Sequence, residues 1–257
     1  MRLQRLLGQM GISSRRKAEI LIKEGRVLVN GRVAVLGESA DPDQDEITVD
    51  GKEFKRQALV YWLLNKPRGV LSACSDGRDR RTVLTLLSEE AKKTRLFPVG
   101  RLDMDSEGLL LLTNDGDVSQ SLLHPSLRSK RVYEVWVSGK FGRKESDLFA
   151  LGLSFPEGKT APMIVEEIDQ ACFKPGNSKV RLCLIDGKKR QIRRSMEIVG
   201  CRVDRLIRVS MGPLSLGDLS LGQSRLLTFK EVKDLRRHAN ERYLEKKSRL
   251  SSRKSAI

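Results

Sequence analysis

The sequence predicts an α+β chain: a small mixed unit over residues 1–58, a larger β-rich domain over residues 59–235, and a basic tail over residues 236–257. Three observations carry that division. The first residues read as helix, helix, hairpin and strand, the apolar period changing from helical to alternating at Gly25. β-prone runs bounded by Gly, Pro, Asn or Asp then dominate, without the helix after every strand that a dinucleotide fold requires. From Glu231 to Ile257 apolar residues thin out, and nine Lys and Arg stand against four acids, the pattern of a frayed helix passing into a disordered basic tail.

Leu3, Leu6, Leu7 and Met10 recur at i, i+3, i+4 and i+7, one face of a short helix that Gly11 ends. Ser13 or Ser14 caps a second helix with Ala18, Leu21 and Ile22 on its apolar face and Gly25 as its stop. Val27 and Val29 lead to Asn30-Gly31, the strongest short hairpin signal, with Val33 and Val35 on the returning strand. Ile47 to Val49 forms a last strand, and the unit is small enough to be marginal alone. In the larger domain, Leu59–Leu64, Phe97–Val99, Leu109–Thr113, Val132–Val137 and Val180–Ile185 read as strands. Val83–Leu87, Val118–Leu123 and Gln191–Val199 read as helices.

The 257 residues carry a net charge of +16 and a pI near 10.0, which calls for an anionic partner. No apolar run approaches the roughly 18 residues of a membrane span, and Met1-Arg2-Leu3-Gln4-Arg5 lacks an apolar signal core, so a soluble cytoplasmic protein without a membrane partner is expected. Four isolated cysteines, Cys74, Cys172, Cys183 and Cys201, read as buried thiols in a reducing compartment. With two histidines, His124 and His238, far apart, neither a metal site nor a His-based triad is expected, and no nucleotide cofactor motif is present. Chemistry therefore falls to carboxylate, Tyr, Lys and Arg.

Charge is unevenly spread. Residues 1–37 hold eight basic side chains against two acidic ones, and Ser14-Arg15-Arg16-Lys17 places cations beside the free N–H groups of a helix start. A solvated helix face has the same composition. A second basic segment, Lys174 to Arg208, has 11 Lys and Arg against three acids, centred on Lys188-Lys189-Arg190-Gln191-Ile192-Arg193-Arg194. As a helix from Gln191 it puts Ile192, Met196 and Val199 on the core side. The densest polar loop is Gly100-Arg101-Leu102-Asp103-Met104-Asp105-Ser106-Glu107-Gly108, between two strands, where a rigid sheet would present a carboxylate. An Arg of the basic segment facing Asp103 would keep that carboxylate ionised. An acidic surface turn and a phosphate-binding face remain the plainer alternatives.

Arg2-Leu3, Gly11-Ile12-Ser13-Ser14-Arg15-Arg16-Lys17-Ala18 and Gly25-Arg26-Val27-Leu28-Val29-Asn30-Gly31 resemble the S4 RNA-binding domain. The resemblance implies RNA contacts by Ser14, Arg15, Arg16, Lys17, Arg26 and Asn30. Lys66-Pro67-Arg68-Gly69, then Gly100-Arg101-Leu102-Asp103 with Gly108 to Gly116, then His124-Pro125 with Lys130-Arg131-Val132-Tyr133, then Gly187 to Arg194, resemble in order the motifs of the pseudouridine synthases, in the branch that carries an S4 domain and modifies ribosomal RNA. Ser106 stands where that family usually has Thr, and Ser195-Met196 where Met and an aromatic residue are common.

The resemblance implies a mixed, mainly antiparallel sheet and a cofactor-free, metal-free isomerase. It makes Asp103 the catalytic carboxylate paired with Arg193, sets Tyr133 against the base, and sends Arg101 into the space left by a flipped uridine. Lys66, Arg68, Arg190, Gln191 and Arg194 are the further substrate contacts it implies. The Gln191-Ile192-Arg193-Arg194 variant and Leu206-Ile207-Arg208-Val209 with Gly212-Pro213-Leu214 are most similar to the large-subunit enzymes, with small-subunit RNA as the alternative; a monomer is expected. Two other readings stand: an RNA-binding assembly factor with an inert Asp103 loop, and a hydrolase pairing Asp103 with Asp105 or Glu107.

Overall fold

The computed structural model describes residues 1–169 and 177–254, with side chains described except at 125 and 242–254; Cys172 and Lys174 lie outside the described residues. The N-terminal unit comprises α1 (Leu3–Gln9), α2 (Arg15–Lys23), β1 (Val27–Val29), β2 (Arg32–Val33), β3 (Ile47–Val49) and β4 (Lys52–Glu53), the strands ordered β2-β1-β3-β4. Leu3, Leu6, Leu7 and Met10 pack with Ala18, Leu21, Ile22, Val27, Val29, Ile47 and Val49 in one core, as the helical and alternating periods require. Asn30 and Gly31 both take positive φ, the two-residue hairpin turn whose twist matches its strands.

The larger domain contains β5 (Tyr61–Lys66), α3 (Glu89–Lys92), β6 (Phe97–Pro98), β7 (Glu107–Thr113), α4 (Gly116–Leu123), β8 (Arg131–Ser138), α5 (Arg143–Leu151), β9 (Ser154–Phe155), β10 (Gly158–Lys159), β11 (Ile164–Asp169), β12 (Asn177–Leu184), α6 (Gln191–Ile198), β13 (Arg202–Met211), β14 (Leu214–Ser215), β15 (Ser224–Leu226) and α7 (Phe229–Lys254). Its main sheet runs β11-β12-β8-β13-β7-β5-β15, with β14 on β13 and β6 on β7. Every pairing in it is antiparallel except β7 with β13, so the sheet is mixed and mainly antiparallel, as expected.

β7 is covered on both faces, which explains an unbroken apolar run where a one-sided strand would alternate. Leu109 and Leu111 meet Tyr61, Leu63, Val118 and Leu235 on one side, and Leu110 and Leu112 meet Trp62, Leu64, Val83 and Leu96 on the other. Each fully buried leucine is worth about 1.5–3 kcal/mol, enough to anchor the loop that precedes the strand.

The longest strand and α5 are among the elements that escape the sequence reading. β13 is ten residues long, but the charged Arg202, Asp204, Arg205 and Arg208 and two register shifts, at Val203/Arg205 and Arg208/Ser210, hide its period of two. α5 buries only Phe149, too little for a visible apolar stripe. The segment expected as a frayed helix passing into a disordered basic tail is helical from Phe229 through Lys254, as α7. Val232, Leu235 and Ala239 seat its first turns on the core, and no Gly or Pro interrupts it thereafter. Among the described residues no helix is long and apolar enough to cross a membrane. Cys183 and Cys201 are buried as expected, but Cys74 is exposed.

Candidate active site

The loop from Gly100 to Ser106 leaves β6 and returns through β7 at the point where β7 meets β13 in parallel, the centre of the sheet. Its backbone is tied down from several directions. Ser72 Oγ donates to Leu102 O at 2.9 Å and accepts from Leu102 N at 3.1 Å. Lys66, fully buried, donates through Nζ to Pro67 O, Asp103 O and Ser106 O at 3.0, 3.1 and 2.9 Å. Arg193 donates to Asp105 O at 2.9 Å and to Val203 O at 3.1 Å, linking the loop to β13.

The three carboxylates here differ sharply. Asp105 accepts both terminal nitrogens of Arg190 at 3.0 Å, and Arg193 Nε lies 3.2 Å from its Oδ2. Burial pushes its carboxyl up, but Arg190 and Arg193 outweigh that and hold it below its usual range. Glu107 is likewise raised by burial and pulled lower by Arg205, at 2.7 Å, and Arg68, at 2.7 Å. Asp103 is the exception: among the described residues no group hydrogen-bonds its carboxylate, which is 38% exposed with Arg190 Nη1 at 3.8 Å from Oδ2. Its backbone is tethered while its carboxylate oxygens remain available.

This corrects the expected pairing. Arg193 grips Asp105 and main-chain oxygens, and Arg190 is the arginine that faces Asp103. Arg190 does so from a left-handed conformation, φ 51°, just before α6, a strained placement of a kind that clusters at functional sites. The acid/base pair of a hydrolase is also undercut, because neither Asp105 nor Glu107 is suited to hold a proton near neutrality.

Asp103 opens on a cavity of about 500 Å³ lined also by Arg101, Tyr133, Arg190, Gln191, Arg193 and Arg208. Seven Lys and Arg line it against two Asp, so its field attracts an anionic polymer. Tyr133 is half-buried between two core clusters, and Arg101 is exposed at the mouth. Gln191 lines the wall but spends its amide on the loop, accepting from Lys188 N at 2.8 Å and donating to Asp186 Oδ1 at 2.7 Å. Three other expected contacts are elsewhere. Lys66 is an internal strut, Arg68 turns to Glu107 and Asp204 O, and Arg194 pairs with Glu157 over the Phe155 ring. Ser195 and Met196 are fully buried in the packing of α6, away from the chemistry. Sequence reasoning missed Ser72, whose hydroxyl carries no signature, and the role of Asp105 as a clamp. Among the described residues no cluster of three or more His, Cys, Asp or Glu is placed to hold a metal.

Burial pushes the Lys66 ammonium down to about 8. Below that pH it supplies three protons to three carbonyl oxygens; above it, the amine is one donor short. Activity is therefore expected to fall as pH rises through about 8. The stability term has the opposite sign. Between about 8 and the unfolded 10.5 the unfolded chain binds more protons than the folded one, so the Lys66 contribution to stability rises with pH. Single-turnover pH–rate profiles should decline through that value in the wild type and be lower and flat in Lys66→Met. A wild-type profile level to about pH 9 would contradict the assignment.

In the N-terminal unit, Ser14 caps α2 by accepting from Lys17 N at 3.3 Å, and Ser14, Arg15, Arg16 and Lys17 are exposed. The first turn of α2 carries no acid, so three cations face the positive end of the helix dipole, an arrangement that favours an anion between them. Arg26 and Asn30 are committed to the unit itself, Arg26 to Asp50 and Glu24, Asn30 to Asp45 and Glu46 N. Arg5 pairs with Asp117 at the start of α4, which docks this basic unit on the larger domain. Replacing Arg15, Arg16 and Lys17 by Ala should weaken RNA binding about tenfold or more and flatten its salt dependence, leaving turnover at saturating RNA unchanged. Fluorescence anisotropy over a salt series checks this, and an unchanged salt slope would refute it.

A family model described as RNA pseudouridylate synthase matches residues 60–197, and one for the S4 domain matches residues 1–36. Ribosomal large subunit pseudouridine synthase B of Bacillus subtilis is 40% identical over 237 residues, covering 91% of this chain and 95% of that protein. An uncharacterized RNA pseudouridine synthase of Mycobacterium leprae is 42% identical over 237 residues, 91% of each chain. The crystal structure of a pseudouridylate synthase superimposes with a TM-score of 0.65 at 26% identity, covering 91% of this chain and 99% of that one. Order of motifs, sheet and loop agree with these matches, and the chain belongs to the RNA pseudouridylate synthase family, with an S4 domain ahead of the catalytic domain.

Proposed function

We propose that the protein converts a specific uridine of large-subunit ribosomal RNA to pseudouridine, with Asp103 as the group that acts at the sugar. One observation carries the assignment of Asp103. On a loop whose other carboxylates are clamped by arginines, Asp103 alone keeps an uncommitted carboxylate, at the wall of a cavity large enough for a flipped nucleotide. An aspartate so placed attacks C1′ or removes the 2′ proton without a metal. Tyr133 forms the surface against which the base rests, and Arg101 at the mouth fills the gap the uridine leaves in its stack. Arg190 holds Asp105 in place and faces Asp103, while α2 of the S4 domain holds the RNA through its phosphates.

The likeness to the Bacillus subtilis large-subunit enzyme favours large-subunit RNA. Joining C5 to C1′ expels the C5 proton, so RNA transcribed with uridine tritiated at C5 releases tritium to solvent as it reacts. Purified protein should release tritium from large-subunit transcripts, at a level corresponding to one or a few sites, and not from small-subunit transcripts. Release from small-subunit RNA alone would refute the subunit assignment, and release from neither would refute the activity on free RNA.

A further inference from the structure

Arg208 stands on β13 between Tyr133 on β8 and Gly108 on β7, so the three residues lie side by side across the centre of the sheet. It is 2% exposed and belongs to the wall of the cavity that holds Asp103. Nε donates to Leu109 O at 2.8 Å, whereas Nη2 is buried without a hydrogen-bond partner. Asp105 and Glu107 of the adjoining loop are committed to other arginines, and Arg208 forms no ion pair among the described residues. Ser106 Oγ in the same wall is also buried and without a partner. Arg131, two residues before Tyr133, is another guanidinium of this wall, its side-chain hydrogen bonds given to the carbonyl oxygens of Leu122 and Asp186.

A buried guanidinium without a counter-charge is costly to fold around, and its retention is explained when the charge arrives with the ligand. The reaction supplies such a charge. When the C1′–N1 bond breaks, its electron pair leaves with the base, and the ring becomes an anion shared among N1, O2 and O4. When C5 then bonds to C1′ the ring is neutral again, and it stays so as the C5 proton departs and N1 takes up a proton in exchange. The count is the same whether Asp103 attacks C1′ or removes the 2′ proton.

We propose that Arg208 is a catalytic residue that stabilises the negative charge on the detached uracil, its guanidinium meeting a ring oxygen of the base seated against Tyr133, with Ser106 Oγ as a neutral donor beside it. The inference rests on the cavity at Asp103 being the base site. A positive charge fixed before the bond breaks stabilises the departing anion more than the neutral ring it came from, and so acts on the rate rather than on binding.

The test uses full-length enzyme in excess over RNA bearing uridine or 5-fluorouridine at the target position. Fluorine makes the base a better leaving group and lessens what the protein must stabilise. Arg208→Gln should slow single-turnover conversion of uridine about 10²–10³-fold, with RNA affinity unchanged. The loss on 5-fluorouridine, read as disappearance of the N-linked nucleoside from a nuclease digest, should be smaller by about tenfold, and Arg208→Lys should fall between wild type and Gln on both. A variant that is merely unstable loses amplitude, not rate constant, so the ratio between the two bases survives partial unfolding. Equal losses on both bases, or a loss confined to affinity or amplitude, would overturn the role of Arg208. Wild-type rates from Asp103→Asn run in parallel would instead overturn the base site itself.

Discussion

Asp103→Asn should bind target RNA within about twofold of wild type and convert it at least about 10³-fold more slowly under single-turnover conditions. The substitution keeps size and polarity and removes only the negative charge. The loop should not move, because its tethers are backbone contacts through Lys66, Ser72 and Arg193, none of which uses the Asp103 side chain. The melting temperature should therefore stay within a few degrees of wild type. Asp105→Asn is the informative neighbour. It breaks the clamp with Arg190 and Arg193 and should slow the reaction less, through disorder of the loop rather than loss of the reacting group.

The largest effect on stability is expected at Gly108. It has φ +103°, and a Cβ built there would lie 2.3 Å from Arg208 O and 2.7 Å from Arg208 N. Those atoms are backbone in the one parallel pairing of the sheet, with no flexible side chain to give way. Gly108→Ala should cost about 3 kcal/mol or more, lowering Tm by roughly 6–12 °C in a domain of this size, and should separate β7 from β13 beneath the loop that carries Asp103. Gly77→Ala, where φ is not positive and nothing lies within 4 Å, is the control and should melt with the wild type. Equal melting temperatures for Gly108→Ala and wild type would show that the close approach of the two strands does not hold.

Much of this architecture is legible in the residues. The helical spacing of Leu3, Leu6, Leu7 and Met10, the Asn30-Gly31 turn and the unbroken Leu109–Leu112 run each carry enough periodicity or backbone preference to specify their element. The loop of Asp103 stands out because it is dense in Gly and acid between two apolar strands, but composition reads equally as a surface turn, and only the resemblance singles out Asp103 within it. What the residues do not reveal is partnership. Arg190 and Arg193 are chemically equivalent in sequence, and only the left-handed turn at Arg190 and the burial of Arg193, 14% exposed, decide which meets Asp103 and which meets backbone. Lys66 and Arg68 sit on a basic motif that reads as RNA-binding, yet the end of β5 buries the first, and Glu107 captures the second. Arg26 and Asn30 are lost to the hairpin in the same way. Arg208 falls in the sequence within the Leu206–Val209 resemblance, and its burial is not legible there because it depends on a strand, β13, whose alternation is broken by bulges.

The central claim, that Asp103 isomerises uridine in ribosomal RNA, is tested most directly by carbodiimide mapping of pseudouridine in ribosomal RNA from cells lacking this protein, rescued in parallel by wild type and by Asp103→Asn. The expected result is the loss of one or a few stops in large-subunit RNA, restored by wild type and not by Asp103→Asn. A map unchanged by removing the protein, or rescue by Asp103→Asn, would contradict it.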